Sequence, residues 1–275
     1  LIVLTGCAQL GQIAWQAADQ AGRYSAHPVV VPEIAAPEGF RAVRVVQGLN
    51  YPSSMTWDDA GNLYVLESHT VPVPMLKPKI VRVGRDGRIT RVNLDGNAAP
   101  TGDTAVGLTF HDGWLYFSHE EKDATFAISR VRPGGGNVER VLGGLPAQGD
   151  HDVNYLLFDR DGALYFGLGS VTNAGVVSSA DPVNAKWLSK HPQTAEIPCR
   201  DIVLTRQQFS SAKDTKVTGA YQAHGQAGAT RAAGRPLCSG AVYRLASGST
   251  QPEVLAWGFR NPVAVAFDDS GELFI

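Results

Sequence analysis

Two methionines, three cysteines and 18% charged residues in 275 are what this chain has little of. Few Met beside Gly 30 and Pro 16 argue against a helical bundle and for turn-rich β-structure. A net charge of -2, with no basic cluster interleaved with aromatics, excludes a nucleic-acid surface. No Cys-x-x-Cys-His haem attachment occurs. No second Cys or His stands at zinc-ligand spacing beside Cys199 or Cys238. Gly134-Gly135-Gly136 follows Pro133 without the strand-to-helix setting of a phosphate loop, so it is read as a hairpin turn. The only markedly apolar run, at the start, is too short to span a membrane.

That run, Leu1-Ile2-Val3-Leu4-Thr5-Gly6-Cys7, has the form of the tail of a secretory signal. Leu4-Thr5-Gly6-Cys7 resembles the bacterial lipobox, in which the Cys is lipidated after cleavage; an ordinary hydrophobic strand with a buried Cys is the alternative. We expect residues 1–7 to be a signal remnant, 8–36 a polar tether and 37–275 the folded domain. The protein is then exported, a periplasmic or outer-membrane lipoprotein of a bacterium, touching the membrane by its lipid anchor only. The chain lacks an initial Met and ends in a strand-like run, Glu272-Leu273-Phe274-Ile275, so a fragment of a longer protein is expected. With Cys7 lipidated, Cys199 and Cys238 make an even pair that export would oxidise to a disulfide; two separate buried thiols are the alternative.

Four segments share one cadence: an apolar strand, an Asp-rich turn with Gly, then Leu and an aromatic residue opening a second strand. They run from Met55 to Val65, Leu108 to Phe117, Leu156 to Phe166 and Val265 to Ile275. Gly accepts positive φ in such a turn and Asp bonds its own backbone, a hairpin signature. The turn glycines Gly61, Gly113 and Gly162 recur at roughly 50 residues, and Gly271 follows at about twice that, the spacing of propeller blades. Alternating runs at 79–83, 88–92, 127–131 and 242–245 supply outer strands. The fold expected is an all-β propeller with about four blades in this chain and more required for closure; a β-sandwich is the competing fold. Residues 171–236 break the cadence and are read as an insertion stapled by Cys199 and Cys238, with a diverged fifth blade as the alternative.

Two places carry chemistry. Asp150-His151 enters a blade's inner strand, at the mouth of a propeller channel, where a His is placed to take a proton. Asp150 stands where it could fix the His tautomer; the same pair also suits a turn cap. Trp257-Gly258-Phe259-Arg260-Asn261-Pro262 occupies the equivalent place one blade on. Arg260 offers a planar fork for anions, Asn261 a donor and an acceptor, and Pro262 fixes the backbone. An Arg paired structurally with an acid of the next blade is the plainer reading. His111 and His119, in or after a turn, are expected at the surface.

The Gly-x-Arg-Asn-Pro motif and the Asp-His ahead of Leu156…Asp161…Leu164-Tyr165-Phe166…Gly169 resemble the pyrroloquinoline quinone (PQQ)-dependent glucose/sorbosone dehydrogenases, over roughly residues 40–275. That resemblance implies a six-bladed propeller, usually exported, that oxidises aldose sugars or related alcohols and aldehydes. It implies His151 as the base that takes the hydroxyl proton while hydride passes to the quinone. Arg260 and Asn261 are then cofactor contacts, calcium is bound by ligands beyond residue 275, and the electron acceptor is undefined. Asn154-Tyr155 and Val263-Ala264 depart from the family's pattern. Two other functions suit the same architecture: a metal-dependent sugar-lactone hydrolase using Glu67, and a non-catalytic propeller that binds a glycan or protein through the insertion.

Overall fold

The structure, a computed structural model, describes residues 37–40, 45–68, 77–122, 125–147, 149–173, 175, 188–191, 194–204, 221–222 and 231–275. Cys7 and the tether to residue 36 lie outside these. Apart from a helical turn at 188–190, the regular elements among the described residues are strands.

β1 (Pro52–Trp57), β2 (Leu63–Glu67), β3 (Lys79–Val83) and β4 (Ile89–Val92) form one sheet in chain order. β5 (Leu94–Asp95) leads to the second sheet, made of β6 (Ala105–His111), β7 (Trp114–Glu120), β8 (Phe126–Val131) and, after β9 (Gly136–Asn137), β10 (Glu139–Leu145). β5 and β9 pair in parallel and tie the outer margins of these two sheets together. The third sheet is β11 (Val153–Phe158), β12 (Leu164–Leu168), β15 (Ala241–Leu245) and β16 (Glu253–Trp257). Inside it fall the short pair β13 (Ile202–Val203) and β14 (Arg231–Ala232). The hairpin β17 (Ala266–Phe267) and β18 (Leu273–Phe274) opens the next unit. These antiparallel sheets, packed face on face around their first strands, are propeller blades. Because β12 pairs directly with β15, the chain between them leaves one sheet and rejoins it, and among the described residues the long interval before Gly271 holds no further four-stranded sheet.

The turns differ in a way the common cadence hides. His111 pairs with Trp114 across Asp112-Gly113, and both turn residues have positive φ, 46° and 75°. That is the two-residue Asp-Gly hairpin whose twist matches its strands. The other three turns are longer: Asp58, Asp159 and Asp268 each accept backbone N–H groups through Oδ1, including those of Asn62, Ala163 and Glu272.

The second strands of the four-stranded sheets are covered on both faces and largely apolar; β2 lies between Leu115 and Phe117 on one side and Val46 and Leu49 on the other. β2 and β12 are buried throughout. Tyr64, Leu66 and Ile80 of the first sheet meet Leu115 and Phe117 of the second. Tyr116, Phe126 and Ile128 of the second meet Leu156, Phe166 and Tyr243 of the third. Each such side chain contributes roughly 1.5–3 kcal/mol on burial. Hydroxyls stitch the inner strands as well. Leu108 N–H donates to Ser54 Oγ at 3.2 Å, and Phe110 N–H to Thr56 Oγ1 at 3.0 Å. Ser118 Oγ accepts from Gly107 N–H and donates to Val153 O.

Toward the solvent end of β7 the sequence expectation fails. His119 is 1% exposed, with Nε2 2.9 Å from Ser129 Oγ. Burial pushes its pKa down to about 4. His111 is half-buried, stacked on Phe158 with ring centroids 4.0 Å apart. Both lie on strands pressed between neighbouring blades, where polar residues are enclosed with the rest.

Candidate functional site

Three loops meet at one end of the third blade: 149–152 entering β11, 169–173 leaving β12 and 258–262 leaving β16. Ser170 joins them. Its carbonyl accepts from His151 Nδ1–H at 2.8 Å, and its N–H donates to the Arg260 carbonyl at 2.8 Å. With Nδ1 carrying the proton, Nε2 is the acceptor of the neutral ring. His151 is 6% exposed.

The chain makes room for this meeting by withholding side chains. A Cβ at Gly169 would overlap His151 Cβ and stand 3.1 Å from Asn261 Oδ1. One at Gly167 would overlap the Pro262 carbonyl. Gly167-Leu168-Gly169 at the end of β12 is thus the signal in the sequence that a neighbouring loop and His151 pack there.

Asp150 does not set the His151 tautomer; Ser170 does. The Asp150 carboxylate accepts from Asn173 N–H at 3.0 Å, and Asn173 Oδ1 accepts from Arg260 Nη1 at 2.6 Å. Asp150, Asn173 and Arg260 therefore form one relay across the site. Asn154, a departure from the family's pattern, donates from Nδ2 to Asn261 Oδ1 at 2.7 Å and to the Pro262 carbonyl at 3.1 Å. Asn154 takes one lone pair of Asn261 Oδ1, and the Asn261 amide N–H groups are left to donate to a ligand. Tyr155, the other departure, receives no partner from this loop through its ring; its hydroxyl donates to Ser53 O at 3.4 Å. Val263 is 47% exposed, and its carbonyl accepts from Tyr155 N–H. Asp152, next to His151, has its pKa raised to about 7, by burial first and by the Glu120 charge second.

The insertion forms the far wall. The Cys199–Cys238 disulfide is present, with Cα atoms 5.0 Å apart. Beside it, Ser239 Oγ donates to Glu196 Oε2 at 2.7 Å, and Glu196 Oε1 accepts from Thr172 N–H at 2.9 Å. Between this wall and Arg260 lies a cavity of about 390 Å³ whose lining includes Tyr221 and Trp257.

Glu67 is 2% exposed; its carboxylate accepts from Asn50 N–H at 2.7 Å and lies 3.8 Å from Lys79 Nζ. Among the described residues, no group of three or more His, Cys, Asp or Glu side chains is gathered to hold a metal. The structure brings His151, Arg260 and Asn261, singled out in the sequence, to one end of a blade, and it adds Ser170, Asn173 and Glu196, whose parts depend on contacts far apart in the chain.

No protein-family model matches the chain, and no curated protein matches it. Among solved structures it is similar to the PQQ-bound form of an aldose sugar dehydrogenase from Streptomyces coelicolor. The TM-score is 0.50 at 18% identity, over 85% of this chain and 58% of that one. It is also similar to a Thermus thermophilus protein provisionally assigned as an oxidoreductase (glucose dehydrogenase). There the TM-score is 0.49 at 18% identity, over 86% of this chain and 60% of that one. The chain thus spans about three-fifths of the length of each, and the likeness to the first is one of fold: an all-β propeller.

Proposed function

We propose that the complete protein is an exported sugar dehydrogenase that uses PQQ, anchored to the membrane through lipidated Cys7. The observation that carries the reading is Ser170, which holds the candidate base His151 on one side and the Arg260 loop on the other. A base with its acceptor nitrogen defined and a cation carried on a loop tied to the same residue are the two things that oxidation of a sugar hydroxyl requires of a protein.

The donor set fits the group. Arg260 is exposed and Asn261 has its amide N–H groups left to donate, so together they suit the carboxylates and carbonyl oxygens of an anionic quinone. When bound, the quinone would supply the hydride acceptor. His151 Nε2 would take the proton of the sugar hydroxyl, and Ser170 would hold the ring as positive charge forms on it. Arg260, braced by Asn173, would stabilise negative charge developing opposite. In this reading calcium is held by residues beyond 275. The ring is completed to six blades where Met55 and Trp57 on β1 and Phe274 on β18 are exposed, at 65%, 54% and 57%.

The test is dye reduction by the full-length protein with PQQ, Ca²⁺ and a panel of aldoses. His151→Ala should lower the rate by roughly 10²–10⁴-fold. Absence of PQQ binding, or an unchanged rate in the variant, would overturn the reading. Labelling of Cys7 by a fatty-acid probe checks the anchor.

A further inference from the structure

The cavity between the insertion and Arg260 has a use of its own. Its volume, about 390 Å³, is that of a small-ligand pocket. Trp257 and Tyr221 supply aromatic faces, with ring centroids 6.3 Å apart and planes inclined at 59°. Glu196 and Arg260 stand on its lining together, so the cavity carries both signs and favours a neutral polyhydroxy ligand over an ion. The Glu196 carboxylate, fixed by Thr172 N–H and Ser239 Oγ, keeps about two of its lone-pair sites to share with hydroxyls. Tyr221 is held at φ 54°, a conformation costly for a bulky residue and found where function sustains the strain.

Ser170, which holds His151, lines one end of this cavity, and its aromatic end stands away from the base. Val153 pairs with Leu168, Leu168 with Ala241 and Ala241 with Trp257. Trp257 is therefore three strand spacings outward from β11, about 14 Å. One sugar ring does not reach from His151 to Trp257.

We propose that this cavity is a saccharide subsite that seats a second, neutral pyranose ring, with Trp257 and Tyr221 against its C–H face and Glu196 on its hydroxyls. The substrates favoured are then saccharides of two or more units. This rests on the sugar reading above, so the test separates the two. Isothermal titration of the cofactor-free full-length protein with maltotriose should show saturable binding, weakened at least about tenfold by Tyr221→Ala or Trp257→Ala. Trp257→Phe should retain it, and Trp57→Ala, an exposed Trp on another blade, should leave it unchanged. No saturable binding, or equal binding by folded Tyr221→Ala, would overturn the subsite. Maltotriose binding without dye reduction would remove the dehydrogenase and keep the subsite. Dye reduction with the same KM for maltotriose in wild type and Tyr221→Ala would do the reverse.

Discussion

The second and third blades are built on one plan and end differently. In each, a Tyr on the second strand pairs with an Arg on the third, and that Arg with a Glu on the fourth. Tyr116 faces Arg130 and Arg130 faces Glu139; Tyr165 faces Arg244 and Arg244 faces Glu253. Beyond this shared frame the second strands part. β7 ends in Ser118-His119-Glu120, and each side chain is spent on the fold. Ser118 bridges two inner strands, His119 meets Ser129, and Glu120 Oε2 accepts from Asp103 N–H at 2.9 Å. β12 runs out through Gly167-Leu168 into Gly169-Ser170, and two of those positions have no side chain. One blade fills its end with polar side chains; the other empties it, and a loop carrying Arg260 and Asn261 moves in. A site arises here where packing is given up.

The largest effect should come from refilling that space. Gly169→Ala places a methyl on His151 Cβ, and displacing a candidate base by about 1 Å is expected to cost on the order of 10²-fold in dye reduction. Glu120→Ala, at the matching position of β7, removes a backbone acceptor and should lower stability with little change in rate. Equal rate losses from the two would erase the contrast between the blades.

Much of the frame was legible beforehand. Gly61, Gly113, Gly162 and Gly271 all have the positive φ that the hairpin reading requires. The outer runs at 79–83 and 242–245 fall within β3 and β15, and Cys199 and Cys238 are bridged. His151 and Arg260 could be paired because they stand at equivalent places in successive blades. The remainder was hidden for physical reasons. Asp150 adjoins His151 in sequence, yet the loop is bent at Gly149 and Asp150 and its carboxylate meets Asn173. Ser170 holds His151 chiefly through its carbonyl, at 2.8 Å against 3.2 Å for its Oγ, and a backbone role is one that no residue type announces. His119 read as a surface residue because it lies near a turn-rich stretch. A strand enclosed between two blades buries whatever its sequence provides.

Next in size is the staple of the third blade, for which the second has no counterpart among the described residues. The Cys199–Cys238 bridge closes a separation of 39 residues. Lost loop-closure entropy makes it worth ~3–4 kcal/mol. Reduction should lower the Tm measured by calorimetry and should also weaken saccharide binding, since Ser239 beside Cys238 holds Glu196. An unchanged Tm on full reduction would count against the staple.

The two blades should also respond oppositely to acid. His119 has a folded pKa of about 4, below the 6.5 of an exposed His. The unfolded chain therefore binds the proton first, and this stabilisation is lost as pH falls from 6.5 to 4. The amount is on the order of 3 kcal/mol, and His119→Gln should remove the slope. Asp152 has a folded pKa of about 7, above its ordinary 3.8. The folded chain holds that proton more tightly, so Asp152 weakens the fold as pH rises from 3.8 to 7. Asp152→Asn should steepen the acid loss that His119 causes. Denaturant midpoints across this range read both, and a wild-type profile unaffected by either substitution would refute the assignment.

The smallest effects should be the ones that match. Arg130 Nη2 lies 2.8 Å from Glu139, and Arg244 Nη1 lies 2.8 Å from Glu253; all four side chains are partly exposed. Exposed pairs of this kind contribute ~0–1 kcal/mol. Glu139→Gln and Glu253→Gln should therefore each shift the denaturant midpoint slightly and by similar amounts, and neither should alter dye reduction. A loss of activity in Glu253→Gln alone would mean that the outer edge of the third blade positions the Arg260 loop. The division between a shared frame and a specialised end would then have to be drawn farther out, at β16.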